Sequence, residues 1–422
     1  GEDEGGSGRG QVRVYKYVSG TWIQSGQTII GLQNHELFGE SVDINGPGDT
    51  IIVGGPNCDL GGSNRGVARI YKLTKNYRND GKWVQFGSDI YGVVNNSYSG
   101  ASVSINWQGD IVAISSRGEG HNYSNSGTTR VYYFNGTNWT VQGTLHGVQS
   151  SEYSGKNPQS ISLNKDGTIL AVGAYDNDSG TSNAGQVRIY EFSSGSWSLR
   201  NNINENNSYS YSGWAVSLND DGDRIIIGAP YYGSYRGKVF IWGYNNNSWG
   251  NKITLDSPSA FSYGYWGETV DINGKGNIIC IGGRGHYNQS SYDKGFVSVY
   301  KWNNGTDFSS GSYVALGTVF SGLNYYRLGS RVSLNNEGTR IAFSSEYGSN
   351  QNSGPYRGEI QMWDIADLQY ETQTITIGDD ISGNDASFNN LKLLGDLSGN
   401  DASFNNMDLL GNTITRGDIS GN

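Results

Sequence analysis

Short stretches of alternating apolar and polar residues recur along the chain, separated by glycine, asparagine and aspartate. One phrase occurs seven times: a glycine, alternating β-branched residues, then an aromatic. Its glycines are Gly10, Gly66, Gly127, Gly185, Gly237, Gly295 and Gly358, and its aromatics are Tyr15, Tyr71, Tyr132, Tyr190, Trp242, Tyr300 and Trp363. Between these lie six copies of a second phrase, beginning at Ser41, Ser102, Ser160, Ala215, Thr269 and Arg331. Each reads as a strand, a tight turn centred on glycine, and a second strand. The first strand alternates, with Val42 and Ile44 on one face and Ser41 and Asp43 on the other, the period of a half-buried strand. The second strand is more continuously apolar, as a strand covered on both faces requires. A third element, a short polar turn with Trp22, Trp83, Trp139, Trp197 or Trp249, supplies an outermost strand whose tryptophan is expected to pack.

One repeat is therefore four antiparallel strands, A to D, in about 58 residues. A four-stranded sheet cannot bury both faces by itself. Blades packed face to face around an axis solve that problem, so the sequence predicts an all-β, seven-bladed β-propeller of four-stranded antiparallel blades. Six A–B pairs and seven C–D pairs are present. Seven blades with the first A–B pair missing is the preferred account; a six-bladed ring with one C–D pair left over is the alternative. The first residues match a B–C loop, so the chain is expected to be a fragment or a processed product. The propeller is assigned to residues 1–377. Residues 378–422 change character: GNDASFNNLKLLG is followed 16 residues later by GNDASFNNMDLLG. Such short units predict a β-helix or an intertwined β-shaft.

Composition narrows the class. Glycine contributes 64 residues, charged residues are only 16% and aromatics 12%, a mixture unlike that of an ordinary disordered chain. The net charge is −10 and no basic stripe occurs, which argues against a nucleic-acid partner. No apolar run is long enough for a membrane-spanning helix, so no membrane insertion is expected. Cys58 and Cys280 fall in different repeats and are expected to be free and buried.

The repeats resemble the FG-GAP family, the units of integrin α-subunit propellers. The resemblance rests on Phe38-Gly39 and Trp266-Gly267 before strand A, on Gly228-Ala229-Pro230 after strand B, and on the Gly-x-Val-x-Val-Tyr third strand. It covers residues 10 to about 377. It implies calcium in an aspartate-rich A–B turn, but only Asp220, Asp221 and Asp223 cluster in one; Asp176 and Asp178 in a B–C loop are a weaker pair. Calcium takes six to eight oxygen ligands, so plain turns are expected and no cofactor is called for. The C-terminal repeats resemble shaft repeats in tail-fibre and spike proteins of phages and large viruses, which implies a homotrimer assembled through the shaft.

The search for catalytic chemistry is largely negative, and no enzymatic activity is expected. The chain has no metal-binding histidine or cysteine spacing, nucleophile elbow or phosphate-binding loop. His35 with Glu36 and His121 with Glu119 read as solvated loop residues. The loops before strand A and between B and C are instead rich in tyrosine, serine and asparagine. Tyr98, Tyr153, Tyr209, Tyr211, Tyr231, Tyr232, Tyr235, Tyr263, Tyr265, Trp266, Tyr325 and Tyr326 are the candidate ligand-binding aromatics, suited to sugars or to protein surfaces. N-x-S/T sequons stand at Asn95, Asn122, Asn135, Asn138, Asn177, Asn206, Asn246, Asn288 and Asn304. These features predict a non-enzymatic recognition or adhesion head of a fibrous surface or virion protein. It would be extracellular or on a virion, binding a glycan or a cell-surface protein for host attachment. A self-assembling fibre or capsid-decoration subunit is the second reading. A carbohydrate-active enzyme, needing a carboxylate pair in a cleft, is the third.

Overall fold

In the computed structural model, residues 7–75, 81–258, 262–285, 294–303, 311–322, 326–346 and 358–371 are described, together with strands between 385 and 421. They form a six-bladed β-propeller of mostly four-stranded antiparallel sheets. Blade 1 comprises Ser41–Ile44, Thr50–Gly55, Val67–Lys75 and Gly81–Gln85 as strands A to D, with Ile90–Tyr91 added on strand C. Blades 2 to 5 repeat the order within residues 99–146, 161–204, 215–256 and 269–321. Blade 6 has three strands, Leu328–Leu334, Arg340–Ser345 and Glu359–Asp364, and continues into the helix Ile365–Glu371. The expected seven blades are thus corrected to six. The N-terminal strands Gln11–Val12, Tyr15–Val18, Thr21–Gln24 and Ile29–Ile30 form the leftover C–D pair, which lies between blades 6 and 1.

Each A–B turn is built by one asparagine. Asn45, Asn106, Asn164, Asn219, Asn273 and Asn335 each accept the backbone N–H groups four and five residues on, as from Thr168 at 2.9 Å and Ile169 at 2.8 Å to Asn164. The side chain satisfies donors that the reversing backbone strands. This device occupies the residues suspected of holding calcium. Asp223 accepts Asn219 Nδ2 at 2.8 Å, and Asp220 takes Asn336 at 2.7 Å and Lys165 at 3.3 Å. Asp221 is exposed. No cluster of three potential metal-ligating residues occurs among the described residues.

Strand A is innermost. The third residue of the repeated A–B phrase is Asp43, Ser104, Ser162, Ser217, Asp271 or Ser333, and these side chains tie one blade to the next. Asp43 accepts Ile105 N at 2.9 Å, Ser104 accepts Leu163 N at 3.1 Å, Ser162 accepts Leu218 N at 3.0 Å and Asp271 accepts Leu334 N at 2.8 Å. Alternate residues of strands A and B pack between blades, as where Val216, Leu218 and Ile225 meet Ile169, Ala171 and Val187. On the outside, the D-strand tryptophans of blades 1 to 3 lean on the preceding D strand: Trp83 Nε1 donates to Ser25 O and Trp139 Nε1 to Phe86 O, both at 2.8 Å, and Trp197 Nε1 to Gln142 at 3.0 Å. Trp83, Trp139 and Trp249 are buried as expected, whereas Trp22 is exposed. Cys58 and Cys280 are free and buried.

The C-terminal repeats pair in parallel. Asp385–Leu393 faces Asp401–Leu409 so that each residue meets its counterpart 16 positions on, and Leu397–Gly399 pairs Thr413–Thr415 in the same register. No helix among the described residues is long and apolar enough to cross a membrane.

Two outcomes follow from this architecture. Gly185, at φ +86°, lies against the Ser212 carbonyl, so a Cβ would collide with backbone; Gly195, at φ +82°, has open space around it. Gly195→Ala should cost about 1 kcal/mol and Gly185→Ala roughly 3 kcal/mol or more in urea unfolding; equal losses would refute the close-approach account. Burial pushes the Asp43 carboxyl up to about 6, against hydrogen bonds from Ile105 and Ile44 that favour ionisation. The native state therefore prefers the protonated form, and this contribution is full below the ordinary carboxyl range and lost as pH rises through 6. Asp43→Ser, matching four other blades, should flatten the fall in Tm between pH 4 and 7; an unchanged pH profile would contradict it.

Candidate active site

Loops before strand A and between strands B and C emerge together, on the face opposite the A–B turns. Two residues before each A-strand glycine the backbone is left-handed: Leu37, Tyr98, Tyr153, Tyr211, Tyr265 and Arg327 have φ between 47° and 55°. That conformation is unfavourable for large side chains and persists only where the surroundings enforce it. The enforcement comes from the preceding blade. Tyr98 N donates to Asn64 O, Tyr153 N to Asn125 O, Tyr211 N to Asn183 O and Tyr265 N to Tyr235 O, at 2.9–3.1 Å. In blades 1 and 3 a buried ion pair anchors the same loop: Arg69 on strand C meets Glu36, and Arg188 meets Glu152 at 2.6 Å. Glu36 also accepts Leu32 N and Gln33 N, and Glu152 accepts Val148 N at 2.7 Å. Glu36 is thus a loop anchor, not a solvated residue. Glu119 likewise pairs with Arg130, leaving His121 stacked on His146 at 4.1 Å.

The residue after each A-strand glycine and the first one or two after strand B converge on the mouth of the axial channel. Blade 1 supplies Glu40 and blade 2 Arg117, which pair at 3.5 Å. Blade 3 supplies Lys156 and Asp176, 3.3 Å apart, with the ammonium 5.0 Å above the Tyr175 ring and 4.4 Å above Tyr153. Blade 4 supplies Trp214 and Tyr231, blade 5 Glu268 paired to Arg284 at 3.1 Å, and blade 6 the exposed Arg331, second after its glycine. The aromatics form a continuous wall. Tyr175 packs on Trp214 at 4.5 Å, Trp214 on Tyr231 at 5.1 Å, Tyr211 on Tyr231 at 4.8 Å and Tyr231 on Tyr265 at 5.5 Å, and Tyr235 stacks on Tyr263 at 5.1 Å. A cavity of about 200 Å³ beside this wall is lined by Tyr265, Arg284, Gly285 and Arg327.

The mouth is electrostatically tuned. Burial raises the Asp176 carboxyl above the ordinary range although Lys156 opposes the shift, and burial raises Glu268 against Arg284 and Arg331. Burial, then Glu268, pushes the Tyr231 hydroxyl up to about 12, and burial, then Asp176, raises Tyr175. Two carboxyl groups of raised pKa thus flank an aromatic wall, with a cation beside each. This suits a polyhydroxylated ring stacked on the wall, and a base of raised pKa is a stronger proton acceptor.

Of the aromatics singled out in the sequence, Tyr211, Tyr231, Tyr235, Tyr263 and Tyr265 come together here. Tyr98 and Tyr153 lie on the same rim, Tyr98 beneath Arg117 at 4.8 Å. Tyr209 is exposed, Tyr232 packs outward on Phe240 and Lys238, and Trp266 is wholly buried between blades 4 and 5. Tyr326 sits at blade 6, where its carbonyl accepts Ser345; Tyr325 lies outside the described residues. Asp178 is occupied by Asn183 N at 2.6 Å and Gln149 at 2.8 Å. Asn177 is buried and its amide donates to Glu152. Asn95, Asn122, Asn135, Asn206 and Asn246 are exposed and Asn138 half-buried, while Asn288 and Asn304 lie outside the described residues. The sequence reading missed Lys156, Tyr175, Trp214, Glu268, Arg284 and Arg331. Their signal was positional: each occupies a fixed offset from a repeat landmark.

No family model matches the chain, and no curated protein does. Neither FG-GAP repeats nor tail-fibre shaft repeats are identified in the chain, and the propeller fold is what stands. Solved structures do match. A Bacteroides uniformis protein assigned as a 6-phosphogluconolactonase is 10% identical with a TM-score of 0.51, covering 81% of this chain and 92% of that one. The periplasmic gluconolactonase PpgL of Pseudomonas aeruginosa is 12% identical with a TM-score of 0.50, covering 85% and 96%. The chain has the propeller fold that these lactonases share. Enzymes thus use this fold, which corrects the expectation that its repeats point to a non-enzymatic adhesion head for host attachment.

Because Lys156 restrains the rise of the Asp176 pKa, Lys156→Met should raise it further. Carboxyl-carbon NMR titration measures this, and an unchanged or lowered value would contradict the pairing.

Proposed function

We propose that the mouth is the active site of a hydrolase that opens a small sugar-derived lactone. The observation that carries the reading is the Lys156–Asp176 pair set against the Tyr175–Trp214–Tyr231 wall. Asp176, ionised and of raised basicity, takes a proton from water as the oxygen attacks the lactone carbonyl carbon. Lys156, and Arg117 on the neighbouring blade, meet the charge on the resulting oxyanion. The ring C–O bond then breaks, the leaving oxygen takes the proton back from Asp176, and the product is the open hydroxy acid. Trp214 and Tyr231 hold the ring by stacking, while Glu268 holds Arg284 for the hydroxyl or anionic substituents. The reading also draws on the lactonase activities named for the two propellers of similar fold.

The test is pH-stat hydrolysis of glucono-δ-lactone. Turnover above the spontaneous rate should fall on the order of 10²-fold or more in Asp176→Asn. Activity should rise with pH along a limb displaced above the ordinary aspartate range, and Lys156→Met should move that limb higher still. Hydrolysis no faster than in buffer, or full activity in Asp176→Asn, would overturn the assignment.

A further inference from the structure

The N-terminal C–D pair stands in the same relation to both neighbours as one blade to the next. Towards blade 1, Phe38 N donates to Arg9 O at 3.1 Å, as Ser99 N does to Arg65 O and Ser212 N to Ala184 O. Val12 and Val14 join Ile51 and Val53 of blade 1 in one core. Towards blade 6, the Arg340 guanidinium lies 4.1 Å above the Tyr17 ring, as Arg224 of blade 4 lies over Trp302 of blade 5. The pair therefore occupies a blade position between blades 6 and 1, with only its outer half filled.

No described strand fills the inner half, and its walls are apolar. Val42 and Ile44 on strand A of blade 1 are 54% and 46% exposed, whereas their counterparts Val103, Val216, Val270, Ile105, Leu218 and Ile272 are 2–7% exposed. On the facing wall, Ile360 and Met362 are 65% and 37% exposed, against 0% and 2% for the equivalent Val297 and Val299 of blade 5. Along the floor, Tyr15–Val18 pairs on one edge with Thr21–Gln24 and has no strand on the other among the described residues. In blades 1 to 5 both the wall and that edge are covered by the same object, an A–B hairpin.

We propose that this opening is a docking slot for an antiparallel β-hairpin supplied in trans, built on the pattern of the chain's own A–B hairpins. The edge of Tyr15–Val18 fixes the direction and register of its second strand by main-chain hydrogen bonds. Its outward-alternating apolar residues fill the space between Val42–Ile44 and Ile360–Met362. An asparagine at the turn, as in all six copies here, is required for the reversal. The slot lies between blades 6 and 1, away from Asp176 and Trp214, so its occupancy is independent of the lactone reading.

The experiment uses the full chain and a synthetic peptide with the sequence of residues 160–174, SISLNKDGTILAVGA. Calorimetry should give saturable 1:1 binding, with a rise in Tm and slowed hydrogen exchange confined to Tyr15–Val18. Val42→Asp in the protein should abolish binding while leaving the far-ultraviolet circular dichroism unchanged, and a peptide with Asn164→Ala should bind at least about tenfold more weakly. Should Val42→Asp fail to fold, Ile360→Asp on the opposite wall serves the same purpose. Absence of binding, binding indifferent to both wall substitutions, or closure of the slot by self-association in sedimentation would each overturn the proposal.

Discussion

Six times around the molecule, the glycine that opens a C strand lies against the backbone leading into the next blade, too close for any side chain. Gly10 meets Phe38 O, Gly66 meets Ser99 O, Gly127 meets Ser154 O, Gly185 meets Ser212 O, Gly237 meets Trp266 O and Gly295 meets Leu328 O. This contact sets the distance between neighbouring sheets on the upper face, and the rest of that face follows from it. The lead-in loop is pulled so close that two residues before the A-strand glycine the chain must turn left-handed, even where the residue is tyrosine. The lost conformational energy is offset by main-chain hydrogen bonds to the preceding blade and, in blades 1 and 3, by the buried arginine–glutamate anchors.

That arrangement separates scaffold from chemistry. The residues that repeat carry the scaffold: glycine at the close approach, asparagine at the A–B turn, serine or aspartate on the axial belt, tryptophan outside. The positions that differ from blade to blade point into the mouth: Glu40, Lys156, Trp214 and Glu268 after the A-strand glycine, and Arg117, Asp176, Tyr231 and Arg284 after strand B. A rigid ring holds these unlike side chains in fixed relation, as a site that must orient a small substrate requires. The acid groups are raised by burial while lysine and arginine oppose the rise, a balance that open loops would not maintain.

The same division explains what was legible in the sequence. Periodicity reveals sameness, so strands A to D, the turn positions and the packing tryptophans could be read directly. The tyrosine-rich loops were visible because their composition recurs, and five of the eleven tyrosines chosen on that ground meet at the mouth. Lys156, Trp214, Glu268 and Arg284 were hidden because each differs from its counterpart in the other blades. Blade number was not legible because six A–B pairs and seven C–D pairs admit two closures, and the choice depends on angular spacing, which no local pattern encodes. The histidine–glutamate pairs misled for a related reason: adjacency in a loop says nothing about which strand arginine lies beneath it.

The account rests on the mouth holding a sugar-derived ring between the aromatic wall and the Lys156–Asp176 pair. A crystal structure of the full chain soaked with gluconate, the hydrolysis product, addresses this most directly. The prediction is a single bound gluconate with its carboxylate near Lys156 and Arg117 and its carbon chain along Trp214 and Tyr231. Gluconate bound elsewhere, or a mouth without it at saturating concentration, would contradict the account.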